Sequence, residues 1–317
     1  MDRREFLEKS FQVGAGLSVF PLLRCRGKKT TIDYKLPRQK LGQTGEMLSI
    51  IGFGGILLKD EEQAAANTMV KQAFDRGINY FDVAPTYGNA EERLGPALKP
   101  FRDRCFLACK TTQRDKVGAG RELHESLRIL QTEHFDLYQL HAITTQEDVE
   151  KALGPNGAME VFFKAKQEGK IRFIGFSAHS EDAALLAMDK YDFDTVLFPI
   201  NFVCLYQGNF GPRVVTRAKE KKMGLLAIKA LAFTRIQEGE ENPYKKLWYK
   251  PIEDEEMSNL ALRFTLSQGV TSAIPPGEAR FFWKAVEIAE EYPPLTTQEN
   301  DKLRKLAEGV EPLFKTS

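Results

Sequence analysis

The chain has 317 residues, 42% of them hydrophobic, a size that suits one large globular domain or barrel. Lys and Arg number 45 against 44 Asp and Glu, so the net charge of +1 excludes the strong basic field of a nucleic-acid-binding protein. Four cysteines (Cys25, Cys105, Cys109, Cys204) are too few for a disulfide framework, and we expect free, mostly buried thiols. The four histidines lack metal-ligand spacing, so no zinc site is expected.

The first 28 residues have the composition of a targeting segment. An arginine pair at positions 3 and 4 precedes a weakly hydrophobic run over 11–23, which is too short to span a bilayer. The arrangement resembles a bacterial twin-arginine signal, and it predicts a periplasmic or exported protein with the export machinery as a partner. The alternative is a frayed amphipathic segment on a cytoplasmic protein. Cys25 is a candidate lipid acceptor, although the arginine before it fits poorly, and residues 29–37 form a polar linker.

From residue 38 onward, short apolar runs alternate with segments of helical periodicity. Turn residues at 41–45 predict a small hairpin first. The apolar runs predicted as strands are then 49–53, 78–83, 105–110, 135–140, 171–177, 195–200, 224–229 and 270–274. Helices are predicted over 60–77, 90–98, 120–131, within 158–170, and over 181–190, 212–222, 257–268, 279–290 and 297–308.

Eight strand–helix units of this length predict an α/β fold of the (β/α)8 or TIM-barrel type. The barrel occupies 38–317, with an N-terminal β-hairpin and an extra C-terminal helix. An open doubly wound sheet is the competing architecture. Such dinucleotide-binding sheets carry G-x-G-x-x-G after the first strand, and this chain does not have that motif there.

Ionisable side chains follow three successive predicted strands: Asp82 and Tyr87, then Lys110, then His141. In a parallel barrel these strand ends converge on one pocket at the face where such barrels do chemistry. Each residue alone is more often a cap, a packing residue or a solvated strand end. Together and in this order, they favour a site that protonates a carbonyl oxygen while a cofactor supplies a hydride.

Five segments resemble the aldo-keto reductase superfamily: LGQTGEMLSIIGFGG, GINYFDVAPTYGNAEERLG, FLACKTT, DLYQLHA and GKIRFIGFSAHS. They occur in the family's order and cover most of the first six units. The resemblance implies a (β/α)8 barrel that binds a nicotinamide cofactor at the C-terminal face of its strands. It also implies reduction of aldehydes or ketones, or the reverse reaction on an alcohol or sugar.

Mapped residue by residue, the resemblance places the family's catalytic residues at Asp82, Tyr87, Lys110 and His141. Tyr87 is then the general acid, and Lys110 is expected to lower the pKa of this phenol, which is ordinarily near 10. Asp82 keeps Lys110 charged away from water. His141 donates a hydrogen bond to the substrate oxygen. The predicted enzyme is an NAD(P)-dependent carbonyl reductase acting on a small carbonyl or alcohol substrate.

The resemblance also places the cofactor near Gly54, Ser177, Asn201, Lys229 and Arg280. Ser177 keeps the family's serine beside the nicotinamide carboxamide, and Asn201 can compensate for changed neighbours. Lys229 either faces the cofactor's phosphates or is a solvent-exposed strand end. Arg280 can pair with a phosphate, which puts NADP(H) slightly ahead of NAD(H).

Three positions depart from the family pattern. Many members have Asn and Gln where this chain has Ala178 and Pro199, so the carboxamide clamp is altered. Pro276 stands where many members have a lysine for the 2′-phosphate of NADP. The altered clamp favours the alternative of a nicotinamide-sensing or regulatory barrel with little turnover, whereas the catalytic residues favour an enzyme. Some bacterial relatives carry a cysteine-rich iron–sulfur segment that is absent here, so neither a cluster nor a metal is expected. The oligomeric state is left open.

Overall fold

The structure, a computed structural model, describes residues 35–291 and 293–316. These residues belong to one compact unit, Tyr34–Ser317. The predicted export segment (1–28), the candidate lipid acceptor Cys25 and most of the predicted linker (29–37) lie outside the described residues.

Parallel strands make up the main sheet of the molecule, which has eight strands in the order β3-β4-β5-β6-β7-β8-β9-β12. The strands are β1 Arg38–Lys40, β2 Met47–Ser49, β3 Phe53–Gly54, β4 Tyr80–Asp82, β5 Phe106–Thr111, β6 Phe135–Ile143, β7 Ile171–Ala178, β8 Thr195–Pro199, β9 Gly224–Ile228, β10 Ala232–Arg235, β11 Tyr249–Pro251 and β12 Ser272–Ile274. Backbone hydrogen bonds from Gly52 N to Ala273 O (3.0 Å) and from Ala273 N to Ile50 O (2.9 Å) join the two ends of the sheet. The sheet is therefore a barrel.

Helices connect the strands and cover the outside of the barrel. They are α1 Gln63–Asp75, α2 Ala90–Leu98, α3 Lys116–Ile129, α4 Gln146–Leu153, α5 Ala158–Gln167, α6 Glu181–Lys190, α7 Phe202–Gly208, α8 Pro212–Glu220, α9 Glu255–Ser267, α10 Ala279–Glu290 and α11 Thr297–Ala307. Short 3-10 helices occupy Gly55–Leu58 and Lys99–Arg104. Among the described residues, no α-helix is both long enough and apolar enough to cross a bilayer.

The hairpin of β1 and β2 covers the end of the barrel where the parallel strands begin. Its Leu41 and Leu48 are fully buried and pack with apolar side chains from the barrel strands. The turn approaches the start of β9 so closely that a Cβ at Gly42 would lie 2.3 Å from Gly224 N. Gly42 also has φ +50°, a backbone conformation that favours glycine. The cavity that Lys110 and His141 line lies at the opposite end of the barrel.

The predicted α/β barrel with an N-terminal hairpin is confirmed, and α11 is the predicted final helix. Strand and helix bounds differ from the predicted ones by a few residues, as expected when ends are read from periodicity alone. Free, buried thiols are found at Cys105, Cys109 and Cys204.

Sequence reasoning missed two α-helices and a β-hairpin. Helix α4 begins with a capping box between Thr145 and Asp148, and α7 is a helix of seven residues capped by Asn201. The antiparallel hairpin of β10 and β11 follows β9 and brings new side chains to the mouth of the barrel.

Candidate active site

A buried ion pair lies at the centre of the site. Asp82 ends β4 and Lys110 lies on β5, and the two strands are neighbours in the barrel. The Lys110 Nζ donates to Asp82 Oδ1 and also to the carbonyl oxygen of Val83 at 3.2 Å. Lys110 is 0% exposed and Asp82 is 2% exposed, so neither charge can be satisfied by bulk water. Each charge therefore depends on the other, as a pair of this kind requires.

Two further side chains hold the free oxygen of Asp82. The Tyr80 hydroxyl donates to Asp82 Oδ2 at 3.0 Å, and Gln139 Nε2 donates to the same oxygen at 3.2 Å. Burial and the neighbouring Asp82 raise the pKa of Tyr80 well above its usual range, so its hydroxyl remains a donor. A Cβ at Gly52 would lie 2.5 Å from the Tyr80 ring, so that position leaves room for the ring. The carboxylate is thus fixed on both oxygens.

Tyr87 lies in the turn between β4 and α2, and Lys110 Nζ is 5.5 Å from the centre of its ring. The Tyr87 ring is half-buried and lines the same pocket as Lys110 and His141. Burial raises the pKa of Tyr87, Lys110 lowers it, and Asp82 raises it again, with a net increase. Lys110 therefore acts in the predicted direction, but the predicted net lowering of the pKa is wrong because burial outweighs it. The phenol holds its proton at neutral pH.

His141 lies near the end of β6, with its ring edge-on to Tyr87 at 6.0 Å between ring centres. Arg114 Nη2 donates to the His141 carbonyl oxygen at 2.8 Å, and Arg114 Nε pairs with Asp148 at 2.9 Å. Burial first, then the positive charge of Lys110, lowers the pKa of His141 to about 3. The imidazole is therefore neutral at physiological pH and can offer one N–H to a ligand.

Tyr87, Lys110 and His141 line one cavity of about 250 Å³ at the C-terminal face of the strands. Leu247, Trp248 and Tyr249, from the β10–β11 hairpin, form part of its wall. The loop that carries them is tied across the mouth, because Lys246 Nζ donates to Leu57 O at 2.7 Å and pairs with Glu61 at 2.8 Å. Among the described residues, no group of His, Cys, Asp or Glu is arranged to hold a metal ion.

Ser177, Lys229 and Gly54 lie at or beside this cavity. Ser177 Oγ accepts a hydrogen bond from Ala142 N at 2.7 Å and lines the cavity. Lys229 follows β9 with φ +69°, and its Nζ lies 4.9 Å from the Trp248 ring centre. Burial lowers the pKa of Lys229 to about 8. A Cβ at Gly54 would lie 2.9 Å from Ile274, a residue of the cavity wall, so glycine is needed for this packing.

Asn201 and Arg280 are placed elsewhere. Asn201 Oδ1 accepts from Cys204 N at 2.8 Å as the cap of α7, and its Nδ2 donates to Lys229 O at 3.2 Å. It lines a different cavity of about 220 Å³ beside α7, α8 and α9. Arg280 is exposed on α10 and pairs with Glu253 at 2.7 Å. The compensating role expected of Asn201 is therefore not what this geometry provides, because its amide is already engaged.

Sequence reasoning missed Tyr80, Gln139 and His179. Each lies two residues from a predicted site residue on the same strand or its continuation: Tyr80 from Asp82, Gln139 from His141, and His179 from Ser177. Alternate residues of a strand share one face, so strand alternation was the signal that could have found them. The residues of the β10–β11 hairpin had no comparable signal.

The lowered pKa values of the two pocket histidines, His141 and His179, predict that the folded state loses stability in acid. Burial lowers the pKa of His141 to about 3 and that of His179 to about 4, against about 6.5 in an unfolded chain. Between these values the unfolded state binds more protons, so stability falls as the pH decreases from about 6.5. We expect the urea midpoint to fall from pH 7.5 to pH 4.5, and to fall less when both are replaced by Gln. Replacing the exposed His124 with Gln is the control. An equal fall in the double variant contradicts the prediction.

Comparison with known proteins supports the fold described above. A sequence model described as the Aldo/keto reductase family matches residues 50–308. The L-galactose dehydrogenase of Arabidopsis thaliana is 29% identical over 225 residues, which are 64% of this chain and 68% of that protein. An uncharacterized oxidoreductase of Bacillus subtilis (strain 168) is 32% identical over 155 residues, or 44% of this chain. The match spans about half of that relative's length, 48%.

Solved structures show the same fold. The holo form of an aldo-keto reductase from Bacillus halodurans superposes with a TM-score of 0.69, over 88% of this chain and 98% of that one. Its sequence identity of 23% makes this a likeness of fold.

Proposed function

Because the chain belongs to the aldo/keto reductase family of oxidoreductases, we propose that it reduces an aldehyde or ketone to an alcohol with a nicotinamide cofactor, or catalyses the reverse. The observation that carries the proposal is one pocket lined by Tyr87, Lys110 and His141, with Asp82 buried behind Lys110. A proton donor, a fixed cation and a neutral hydrogen-bond donor meet there, which is what a carbonyl oxygen requires as it gains negative charge.

Tyr87 gives its proton to the carbonyl oxygen. Its raised pKa keeps the phenol protonated at neutral pH, and Lys110 stabilises the phenolate as the proton leaves. Asp82, held by Tyr80 and Gln139, keeps Lys110 charged through the transfer. A positioned general acid of this kind contributes a factor of about 10²–10⁴. In the reverse direction, Tyr87 as phenolate takes the proton of the alcohol.

Members of the family typically use NADP(H), and the residues at the mouth suit a nicotinamide dinucleotide. Lys229 has no carboxylate partner among the described residues, so its charge is available to a phosphate. A Cβ at Gly277 would lie 2.7 Å from Ile56, so this turn passes close to the cavity wall. When bound, a reduced nicotinamide supplies the hydride to the carbonyl carbon. We propose NADP(H) as the cofactor, with NAD(H) also accepted. Arg280 already pairs with Glu253, so the proposal does not depend on that arginine.

The test is turnover of the purified chain with NADPH and NADH against a panel of aldehydes and ketones. The panel includes aldoses, because the Arabidopsis relative is named for L-galactose. We expect nucleotide oxidation with at least one carbonyl class and a modest preference for NADPH. Nucleotide binding without turnover of any carbonyl would instead favour the nicotinamide-sensing barrel.

We propose that the chain is exported in a folded state by the twin-arginine machinery, on the pattern of residues 1–28. Export of this kind would deliver the enzyme to the periplasm. Mass spectrometry of the purified protein tests lipid attachment at Cys25. A reporter that acts only outside the cytoplasm, fused after residue 30, is expected to be active. The same fusion with both arginines replaced by lysine is the control, and an inactive wild-type fusion favours the cytoplasmic alternative.

A further inference from the structure

His179 lies in the reacting pocket, although none of the proposed proton-transfer steps uses it. It follows β7, where its backbone N donates to Ile143 O at 3.0 Å, and it lines the same cavity as Tyr87 and His141. It is also close enough to His141 to contribute to the lowered pKa of that ring. A ligand that binds His141 in this cavity therefore shares the cavity with the His179 ring.

The plane of the His179 ring is fixed from the outside by Phe314. The two rings stack at 5.3 Å between centres, with an angle of 2° between their planes. Phe314 in turn stacks on Phe210 at 5.3 Å and meets the edge of Trp248 at 6.2 Å. An aromatic side chain held on both sides limits the rotation of the imidazole it covers.

The segment that carries Phe314 is anchored at several points. Arg235 Nη2 donates to Leu313 O at 2.6 Å, and the Thr316 hydroxyl donates to Glu181 Oε2 at 2.9 Å. Thr316 N also donates to Gly208 O at 2.8 Å. These contacts tie residues 313–316 to β10, α6 and α7, so the ring that covers His179 belongs to an ordered part of the wall.

The ring nitrogens of His179 are free to bind a ligand. Within residues 35–291 and 293–316, neither ring nitrogen of His179 makes a hydrogen bond. Burial lowers the pKa of His179 to about 4, so the ring is neutral at physiological pH and has one donor and one acceptor nitrogen. A hydroxyl group, which both donates and accepts, is the complementary ligand.

We infer that His179 is a specificity-determining residue that hydrogen-bonds a hydroxyl group adjacent to the reacting carbonyl, with Phe314 fixing its ring plane. The inference rests on the proposed function and narrows its substrate class to 2-hydroxy aldehydes and ketones. It assigns Phe314 a positioning role only, because Phe314 acts through His179.

Two aldehydes that differ only in the 2-hydroxyl, D-glyceraldehyde and 3-hydroxypropanal, test the inference. Their affinities for the NADP+-loaded chain are measured by direct titration, which does not depend on turnover. We expect wild type to prefer D-glyceraldehyde by about tenfold, the effect of one well-formed hydrogen bond. His179→Ala should abolish the preference, His179→Asn should restore part of it, and Phe314→Leu should reduce it. The affinity for NADP+ should stay within about twofold throughout.

His124→Ala and Phe163→Leu, at exposed positions, are the matched controls and should keep the wild-type preference. The inference is overturned if wild type shows no preference, if His179→Ala retains it, or if the loss falls on NADP+ affinity instead. Turnover assays on the same variants distinguish the binding role of His179 from the reductase assignment. A preference lost in His179→Ala without any turnover in wild type supports the binding role and contradicts the reductase assignment.

Discussion

Replacing Tyr87 with Phe is expected to lower kcat for carbonyl reduction about 10²–10⁴-fold, because the variant has no hydroxyl to give a proton. The ring itself is retained, and with it the edge-on contact with His141 at 6.0 Å. The shape of the pocket should therefore persist, and nucleotide affinity should stay within about twofold. Steady-state kinetics with the best carbonyl from the panel, together with nucleotide titration, measures both quantities.

Tyr138→Phe is the matched control for this change. Tyr138 lies on β6 and is fully buried against Phe135 and Phe162, in the layer between sheet and helices. Losing its hydroxyl should leave kcat unchanged. If Tyr87→Phe turns over as fast as wild type and this control, the result contradicts the proposed proton transfer from Tyr87.

The barrel and the positions of its polar strand ends were accessible from the sequence because both follow from local patterns. Apolar runs at regular spacing predicted the strands, and parallel strands of one barrel must bring Asp82, Lys110 and His141 to the same face. Register then sets the details: Lys110 lies opposite Gln139, and Asp82 lies opposite Ala108.

For the remaining site residues, a role in the core or at a helix cap competes with a role in the pocket, and the sequence alone does not decide between the two. Tyr80 and Gln139 sit in apolar runs, where a polar side chain is ordinarily a satisfied core residue. Asn201 precedes a helix, and asparagine is among the preferred N-cap residues, so its capping role outweighs a role in the pocket.

Long-range contacts account for what could not be predicted. Lys246 is tied to Glu61, 185 residues away, and Phe314 reaches His179 from the far end of the described chain. The sequence indicates that Arg280 can pair with a phosphate, but Glu253, a residue with no local signal, pairs with it in the structure. Charge and aromatic partners of this kind are set by tertiary packing rather than by spacing along the chain.

Among the single variants discussed, Asp82→Asn should lower the free energy of unfolding the most. The change removes the countercharge of Lys110, an ammonium that is 0% exposed, and breaking a buried pair in this way costs about 3–5 kcal/mol. Activity should fall as well, because an amine that loses its proton no longer stabilises the Tyr87 phenolate. Urea denaturation at neutral pH measures the first effect, and kcat measures the second.

The double variant Asp82→Asn with Lys110→Met separates stability from chemistry. Neutral side chains of similar size at both positions leave no buried charge, so most of the lost stability should return while activity stays low. Asp182→Asn, which breaks the exposed pair with Arg213 at 2.7 Å, is the control and should change neither quantity. If the double variant is as unstable as Asp82→Asn alone, the cost does not arise from the unpaired ammonium. If it regains activity, Lys110 does not assist the proton transfer, because a methionine can stabilise no phenolate.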